Sequence, residues 1–160
     1  MSITEESARR NKLEVTRLRG ALATSPNDRD TLLALARHLC AEIQSGDDYC
    51  LDELRTLVAA HEDVIGLVPF LARALYSSMF YADLYDGNEE LAAKRLDELR
   101  HVLASFSDDP EVRDAFAMAL MYVYGGSDAA GKQTLRSELS MLAARFPNDA
   151  ELQYWLTQFF

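Results

Sequence analysis

The chain has 160 residues, of which 49% are hydrophobic and 26% are charged, and its formal net charge is −10 at pH 7. This length and composition fit a folded globular domain and exclude a long disordered region. The acidic balance argues against nucleic acid and anionic membranes as partners, because both attract positively charged proteins. A basic protein or peptide is the natural electrostatic complement.

The cysteine content and the N-terminal residues predict a cytoplasmic protein. Cys40 and Cys50 are too few for a disulfide framework and suit a reducing compartment. The first residues carry acids and bases without an apolar stretch, so they do not resemble a secretory signal. We expect no membrane span, because no apolar run approaches the ~20 residues that a spanning helix needs. The abundance of Arg and Ala favours a bacterial source.

Apolar residues at helical spacing, separated by turn residues, predict an all-α fold of about eight helices in a single domain, 1–160. Side-chain caps are expected where a polar residue precedes an apolar periodic run, at Asn27, Asn88, Asp109, Ser127 and Asn148. The predicted elements are an N-terminal helix over 1–24, hairpins over 27–61, 63–106 and 109–146, and a C-terminal helix over 148–160.

Glycine and proline mark two interruptions inside the predicted hairpins. Gly87 follows a periodic run and can adopt the left-handed backbone conformation that ends a helix. Gly66 and Pro69 lie inside another apolar run. Because proline lacks a backbone donor and crowds the preceding turn, this pair predicts a kink or a short separate turn.

The helix starts resemble one another at a spacing typical of helical repeats. SPNDRDTLLALARHL, which begins at Ser25, aligns without a gap with FPNDAELQYWLTQFF, which begins at Phe146. SDDPEVRDAFAMALMYV falls between them as another copy. Pro26 and Pro147 are 121 residues apart, which corresponds to three units of about 40 residues. Such a unit cannot bury its apolar faces alone, so it stacks on its neighbours.

These units resemble the tetratricopeptide repeat, whose first helix follows the pattern W-x₂-L-G-x₂-Y. Leu32, Leu35, Ala36 and Leu39 match this pattern, whereas 72–79, 116–123 and 152–159 match it in spacing alone. The resemblance implies hairpins stacked as a short right-handed solenoid, in which the first helices line a concave groove. Because the units exceed 34 residues and the glycine is replaced, a HEAT-like array or a non-repeating bundle stays an alternative.

The resemblance places a set of aromatic and acidic residues along that groove. Tyrosine suits a binding surface because it can bury its ring while its hydroxyl stays available. The alternative is that the rings pack in the core and the acids are solvated. The candidate partner-binding residues are Tyr76, Tyr81, Asp83, Tyr85, Asp86, Asp114, Met118 and Tyr122.

The end of the C-terminal helix is a second candidate surface. Trp155, Phe159 and Phe160 make it apolar, although the terminal repeat of a solenoid normally has a polar outer face. Either this helix folds back onto the preceding one, or it associates with a second copy of the chain.

No catalytic, cofactor or metal site is predicted. His38 and Cys40 lie two residues apart on a helix and point to different faces, and no His or Cys pair has a zinc spacing. Adjacent carboxylates lie at helix starts, where the helix dipole favours acids. The segment from Gly126 to Lys132 has the spacing of a phosphate-binding loop, but it lacks the following Ser or Thr and a preceding strand.

The sequence therefore predicts a noncatalytic protein–protein interaction module that binds a basic protein or peptide, as an adaptor, chaperone or immunity protein. The alternative is a self-assembling structural subunit that forms a homodimer through the apolar C-terminal helix. Salt separates the two hypotheses, because added salt screens the attraction of a basic partner but does not weaken apolar self-association.

Overall fold

The computed structural model describes residues 3–43, 49–84 and 87–159, and in these ranges it contains eight α-helices and no strand. A turn of 3₁₀ helix, Ile65–Leu67, precedes the fourth helix. The predicted all-α fold is confirmed, and the stacking of its hairpins as a solenoid stays a prediction. The helices are α1 (Ile3–Thr24), α2 (Arg29–Ile43), α3 (Tyr49–Ala60), α4 (Val68–Leu84), α5 (Glu89–Ser105), α6 (Pro110–Gly126), α7 (Ala129–Arg145) and α8 (Ala150–Gln158).

The predicted turn before α5 and the predicted start of the 109–146 hairpin are confirmed in detail. Gly87 has a φ of 59°, in the left-handed region that a glycine adopts without strain. Asn88 Oδ1 accepts a hydrogen bond from Leu91 N at 3.0 Å and caps α5. Asp109 Oδ1 accepts one from Glu111 N at 2.9 Å and caps α6. Each cap satisfies a backbone donor that the first turn of a helix leaves without a partner.

Three other capping predictions are wrong by one residue. Aspartate caps the helix in each case, through a hydrogen bond from the N–H three residues further on. A carboxylate accepts more strongly than an amide or a hydroxyl and is favoured at the positive end of the helix dipole, so the aspartate prevails where both stand side by side. The observed caps are Asp28 in place of the predicted Asn27, Asp128 in place of Ser127, and Asp149 in place of Asn148. The distances from the carboxylate oxygen to the backbone nitrogen are 3.1, 2.8 and 3.2 Å, respectively.

One backbone turn recurs at four helix junctions, between 36 and 45 residues apart. In each turn the last residue donates its N–H to the carbonyl three residues earlier. Three copies end in a capping aspartate, and the fourth ends in Val64 and leads into the 3₁₀ turn. The bonds join Asp28 to Ser25 (3.2 Å), Val64 to His61 (2.9 Å), Asp109 to Phe106 (3.1 Å) and Asp149 to Phe146 (3.1 Å).

The interruption predicted at Gly66 and Pro69 is the 3₁₀ turn, after which Pro69 occupies the first turn of α4. Proline is tolerated there because the N–H groups of a first turn have no intrahelical partner. A Cβ atom at Gly66 would meet Leu33 Cδ2 at 3.1 Å, so this position also permits a close approach to α2.

The apolar stretch Ile65–Ala82 is nearer in length and hydropathy to a membrane-spanning helix than we expect from the sequence analysis. By length and composition alone this 18-residue stretch, with a mean hydropathy of 1.2, could cross a membrane, and it is the one such stretch in the described part of the chain. It is 56% buried in the structure, and the core helix of a soluble protein meets the same criterion. The expectation that no run approaches this length is therefore not met here.

The chain divides into two compact units, a first unit (Met1–Ser78) and a second unit (Met79–Phe160). In the first unit α2 packs against α1 and α3. Asn11 of α1 donates a hydrogen bond to the carbonyl of His38 at 3.1 Å, and its amide also bonds the side chains of His38 and Glu42. The fully buried side chains of this core include Leu32, Leu39, Ile43, Leu51 and Leu54.

In the second unit α6 packs against α5, α7 and α8. Arg113 lies in the first turn of α6 and forms a buried ion pair with Asp149, with Nε 2.6 Å from the carboxylate. Its guanidinium also donates to Ser107 O at 2.8 Å and lies 4.2 Å from the centroid of the Phe146 ring. The Asp149 carboxylate thus binds Arg113 and caps α8 at once.

Replacement of Asp149 by Asn is expected to lower the free energy of unfolding by about 3 kcal/mol, because it leaves the Arg113 charge buried without its counter-charge. The amide oxygen of Asn can still cap α8, so the decrease in the free energy of unfolding reports the ion pair and not the cap. Urea denaturation followed by circular dichroism measures the change.

Asp52→Asn is the matched control. The Asp52 side chain is 82% exposed and pairs with Arg55 at 2.6 Å, so its loss is expected to cost less than about 1 kcal/mol. Equal losses in the two variants would contradict a special role for the buried pair.

Candidate functional site

A crevice of about 290 Å³ opens between α5 and α6 in the second unit. One of its walls is the candidate residue Tyr122. The lining is mainly aliphatic and aromatic carbon, with one carboxylate among the described residues. The lining residues are Glu89, Ala92, Ala93 and Leu96 of α5, Tyr122, Val123 and Gly126 of α6, and Ser127.

The spacing of residues on α5 accounts for the crevice. Glu89, Ala92, Ala93 and Leu96 stand at positions i, i+3, i+4 and i+7, which share one face of a helix. Leu96 is buried and holds α5 against the core, whereas the two alanines are too short to fill the space beside α6. The small side chains at the centre of this face therefore leave a depression.

Two helix ends and one carboxylate set the charge of this crevice, because the N-terminal end of α5 adds partial positive charge and the C-terminal end of α6 adds partial negative charge. The last turn of α6 carries no basic residue, so no side chain of its own offsets the partial negative charge of its carbonyl groups. Ser127 satisfies two of these carbonyls, since its Oγ donates to Val123 O at 2.8 Å and its N–H to Tyr124 O at 3.3 Å. Glu89 adds a formal charge at the same site.

An aromatic cluster fixes the Tyr122 ring. The centroid of the Phe80 ring lies 5.2 Å from that of Tyr122 and 5.9 Å from that of Tyr81, and all three side chains are half-buried. Ring pairs at these distances attract each other beyond the burial of their area. The rings therefore pack on one another and also leave part of their surface exposed. This arrangement combines core packing with an accessible surface, the two alternatives considered for the aromatic residues.

Asp114 and Trp155, which the sequence assigns to different surfaces, bond to each other. Trp155 Nε1 donates to Asp114 Oδ1 at 2.7 Å and joins α8 to α6. Phe159 is 1% exposed and its ring lies 4.6 Å from that of Tyr124. The C-terminal helix thus folds back onto its own unit through these residues, and Phe159 offers no surface to a second copy.

The remaining described candidates, Tyr76 and Met118, do not line the crevice. Tyr76 belongs to the first unit, where burial raises the pKa of its hydroxyl, and Met118 is half-buried on α6. Tyr85, Asp86, Phe160 and the side chain of Asp83 lie outside the described residues.

Sequence reasoning missed the α5 side of the crevice. Glu89, Ala92 and Ala93 line it, yet the capping pattern gave Glu89 a role in starting the helix, and alanine has no functional group to draw notice. The available signal was the pair of alanines on the same helix face as Glu89, which marks a place where a neighbouring helix or a ligand can approach.

The described residues form no evident binding site for a metal ion or a phosphate group. They contain no group of three His, Cys, Asp or Glu side chains that could hold a metal ion. Gly131 N, in the segment that resembles a phosphate-binding loop, already donates to Asp128 Oδ1 at 2.8 Å, and Lys132 lies 5.3 Å from the centroid of the Tyr124 ring. This segment is the end of α6 and the first turn of α7.

Burial raises the pKa of the Cys40 thiol to about 11. A thiol in this state is a poor nucleophile, because the thiolate is the reactive form. Cys40 packs in the core of the first unit, at 4% exposure.

Replacement of Asp114 by Ala is expected to lower the free energy of unfolding by about 1 kcal/mol, because a part-buried hydrogen bond is lost. Trp155 is the single tryptophan of the chain, so the emission maximum of its fluorescence reports the change of environment directly. Asp97→Ala, at a side chain that is 66% exposed, is the control and is expected to leave the emission unchanged. An identical spectrum for Asp114→Ala would contradict the Asp114–Trp155 bond.

The Cys40 thiol is expected to make the fold less stable in alkali. An exposed thiol in the unfolded chain ionises near pH 8.5, whereas the native thiol ionises near pH 11, so above about pH 9 the unfolded state binds fewer protons. The free energy of unfolding should then fall by up to about 1.4 kcal/mol per pH unit. Urea denaturation at increasing pH should show a smaller slope for Cys40→Ala, and parallel slopes would contradict the raised pKa.

Comparison with known proteins assigns no family to this fold. The chain matches no known protein family, no curated protein and no solved structure. The resemblance to the tetratricopeptide repeat therefore depends on the sequence pattern and stays a prediction, and a function has to be inferred from geometry and charge.

Proposed function

We propose that the protein is a noncatalytic interaction module that binds a basic protein or peptide, as an adaptor, chaperone or immunity protein of the bacterial cytoplasm. The observation that carries this proposal is the charge of the second unit. Residues 79–160 contain 14 Asp or Glu and seven Lys or Arg, a net charge of −7. A partner of opposite charge is attracted to such a surface.

The basic residues of the second unit are engaged within it. Ion pairs join Lys94 to Glu90 at 2.7 Å, Arg95 to Glu98 at 3.8 Å, Arg100 to Glu138 at 2.8 Å, and Arg113 to Asp149. The other three stack on aromatic rings, Lys132 and Arg136 on Tyr124 and Arg145 on Phe146. Each of the seven positive charges therefore faces a group of its own unit.

Several acids of the second unit face solvent. Glu89, Asp108 and Glu151 are exposed, and all three stand at or beside the start of a helix. Their charge acts over about a Debye length, ~8 Å at physiological salt. This field accelerates the approach of a basic partner and disfavours an acidic one.

The recurring junction turns support the proposed architecture. Four turns of the same hydrogen-bonding pattern, between 36 and 45 residues apart, correspond to hairpin units of similar length. We propose that these units stack as tetratricopeptide repeats do.

The alternative function is a homodimer formed through α8. Tyr154 favours it, because this large side chain is 54% exposed and its ring lies 5.4 Å from that of Trp155. Light scattering after size exclusion measures the mass, and the monomer mass at micromolar concentration would exclude this alternative.

Fluorescent peptides of about ten residues test the proposed function. Three probes share two leucines and differ in four positions, which carry Arg, Glu or Ser. Fluorescence anisotropy is expected to show binding of the Arg peptide at least about tenfold tighter than that of the Ser peptide, a difference of about 1.4 kcal/mol.

Salt provides the internal control for this experiment. The preference for the Arg peptide should shrink between about 50 mM and about 300 mM NaCl, because screening shortens the range of the attraction. Equal affinity for the Arg, Ser and Glu peptides at low salt would contradict the proposal.

A further inference from the structure

We infer that the α5–α6 crevice is the subsite for one arginine side chain of the basic partner. This inference depends on the proposed function and names the group that the partner inserts. The methylene stem lies along Ala92 and Ala93, and the guanidinium faces the Tyr122 ring and Glu89.

The shape of the crevice fits a long, narrow side chain. Its volume is about 290 Å³, and its walls are the methyl groups of Ala92 and Ala93, the Leu96 side chain and the Tyr122 ring. Arginine and lysine bury their methylene stems along apolar surface while their charged ends stay at a polar boundary. Glu89, which is exposed, supplies such a boundary.

The one formal charge in the described lining of the crevice is negative and favours a cation. Among the described residues its lining includes one carboxylate and no Lys or Arg. Two neighbouring bases on α5 are engaged elsewhere, since Lys94 pairs with Glu90 at 2.7 Å and Arg95 with Glu98 at 3.8 Å. The partial negative charge at the C-terminal end of α6 is offset by the partial positive charge at the N-terminal end of α5, so Glu89 supplies the negative charge of the site.

The aromatic wall favours arginine over lysine. A planar guanidinium stacks on a tyrosine ring and can at the same time bond a carboxylate through two parallel N–H groups. The Tyr122 ring is held in place by Phe80, whose centroid lies 5.2 Å away, so little ordering of the ring is needed on binding.

A small probe tests the crevice without knowledge of the partner. N-acetyl-arginine methylamide is titrated into ¹⁵N-labelled protein, and its citrulline analogue, which has nearly the same shape without the charge, is the control ligand. We expect saturable shifts of the amide signals of Ala93, Gly126 and Ser127, with a Kd of about 1–10 mM for the arginine probe. The citrulline probe should bind at least about fivefold more weakly.

Two substitutions on the same helix locate the site. Ala93→Lys puts a positive charge into the crevice and is expected to abolish the saturable shifts. Ala104→Lys makes the same change at an exposed position of α5 outside the crevice and is expected to leave them unchanged. Glu89→Gln should weaken binding by about threefold, as expected for an exposed ion pair. Circular dichroism verifies that each variant keeps its helix content.

The outcomes separate this inference from the proposed function. If the Arg peptide binds equally well to wild type and Ala93→Lys, the crevice is not the arginine subsite, although the protein still binds basic peptides. If no basic peptide binds, the proposed function fails together with the inferred partner. Shifts that the citrulline probe reproduces at equal concentration would also overturn the inference.

Discussion

The second unit depends on the close packing of α6 against three neighbouring helices. Ala115, Ala117 and Ala119 are buried, so α6 carries short side chains on several sides, and larger residues such as Phe116 and Leu120 fill the space between the helices. At its start, the buried Arg113–Asp149 pair joins α6 to the turn that begins α8. A helix enclosed in this way has little surface left, and the part near Tyr122 and Gly126 is where the crevice opens.

The division of charge connects the packing of the second unit to its proposed function. Its cations are engaged within the unit, and some of their contacts join helices, of which Arg100 with Glu138 and Arg113 with Asp149 are the clearest. Among the acids that the structure describes, Asp109, Asp128 and Asp149 cap helices, and Glu89, Asp108 and Glu151 face solvent. Because surface pairs add little stability, the surplus of acids is not explained by folding alone. In the proposed function, this surplus attracts a basic partner.

Much of this fold could be predicted from the sequence, because local rules decide it. Helix periodicity gave the eight helices, and the caps at Asn88 and Asp109 follow from side-chain chemistry alone. The caps at Asp28, Asp128 and Asp149 were missed by one residue where two capping residues stand together. The division into two units and the Asp114–Trp155 bond, across 41 residues, depend on tertiary packing that no local pattern contains.

Only part of the candidate site could be predicted, because the rest depends on tertiary packing. Tyr122 was named from its chemistry, whereas Ala93 matters for the volume it leaves empty, which becomes visible when α5 lies beside α6.

Photo-crosslinking of the bound peptide tests the central claim most directly. A benzoylphenylalanine placed next to the arginine of the peptide reacts with whatever lies within a few ångströms, and mass spectrometry of the digested product locates the attachment. We expect the crosslink to form on residues that line the crevice, to be suppressed by salt, to be lost in Ala93→Lys and to persist in Ala104→Lys. Crosslinks outside the crevice, or equal crosslinking to the two variants, would contradict the account.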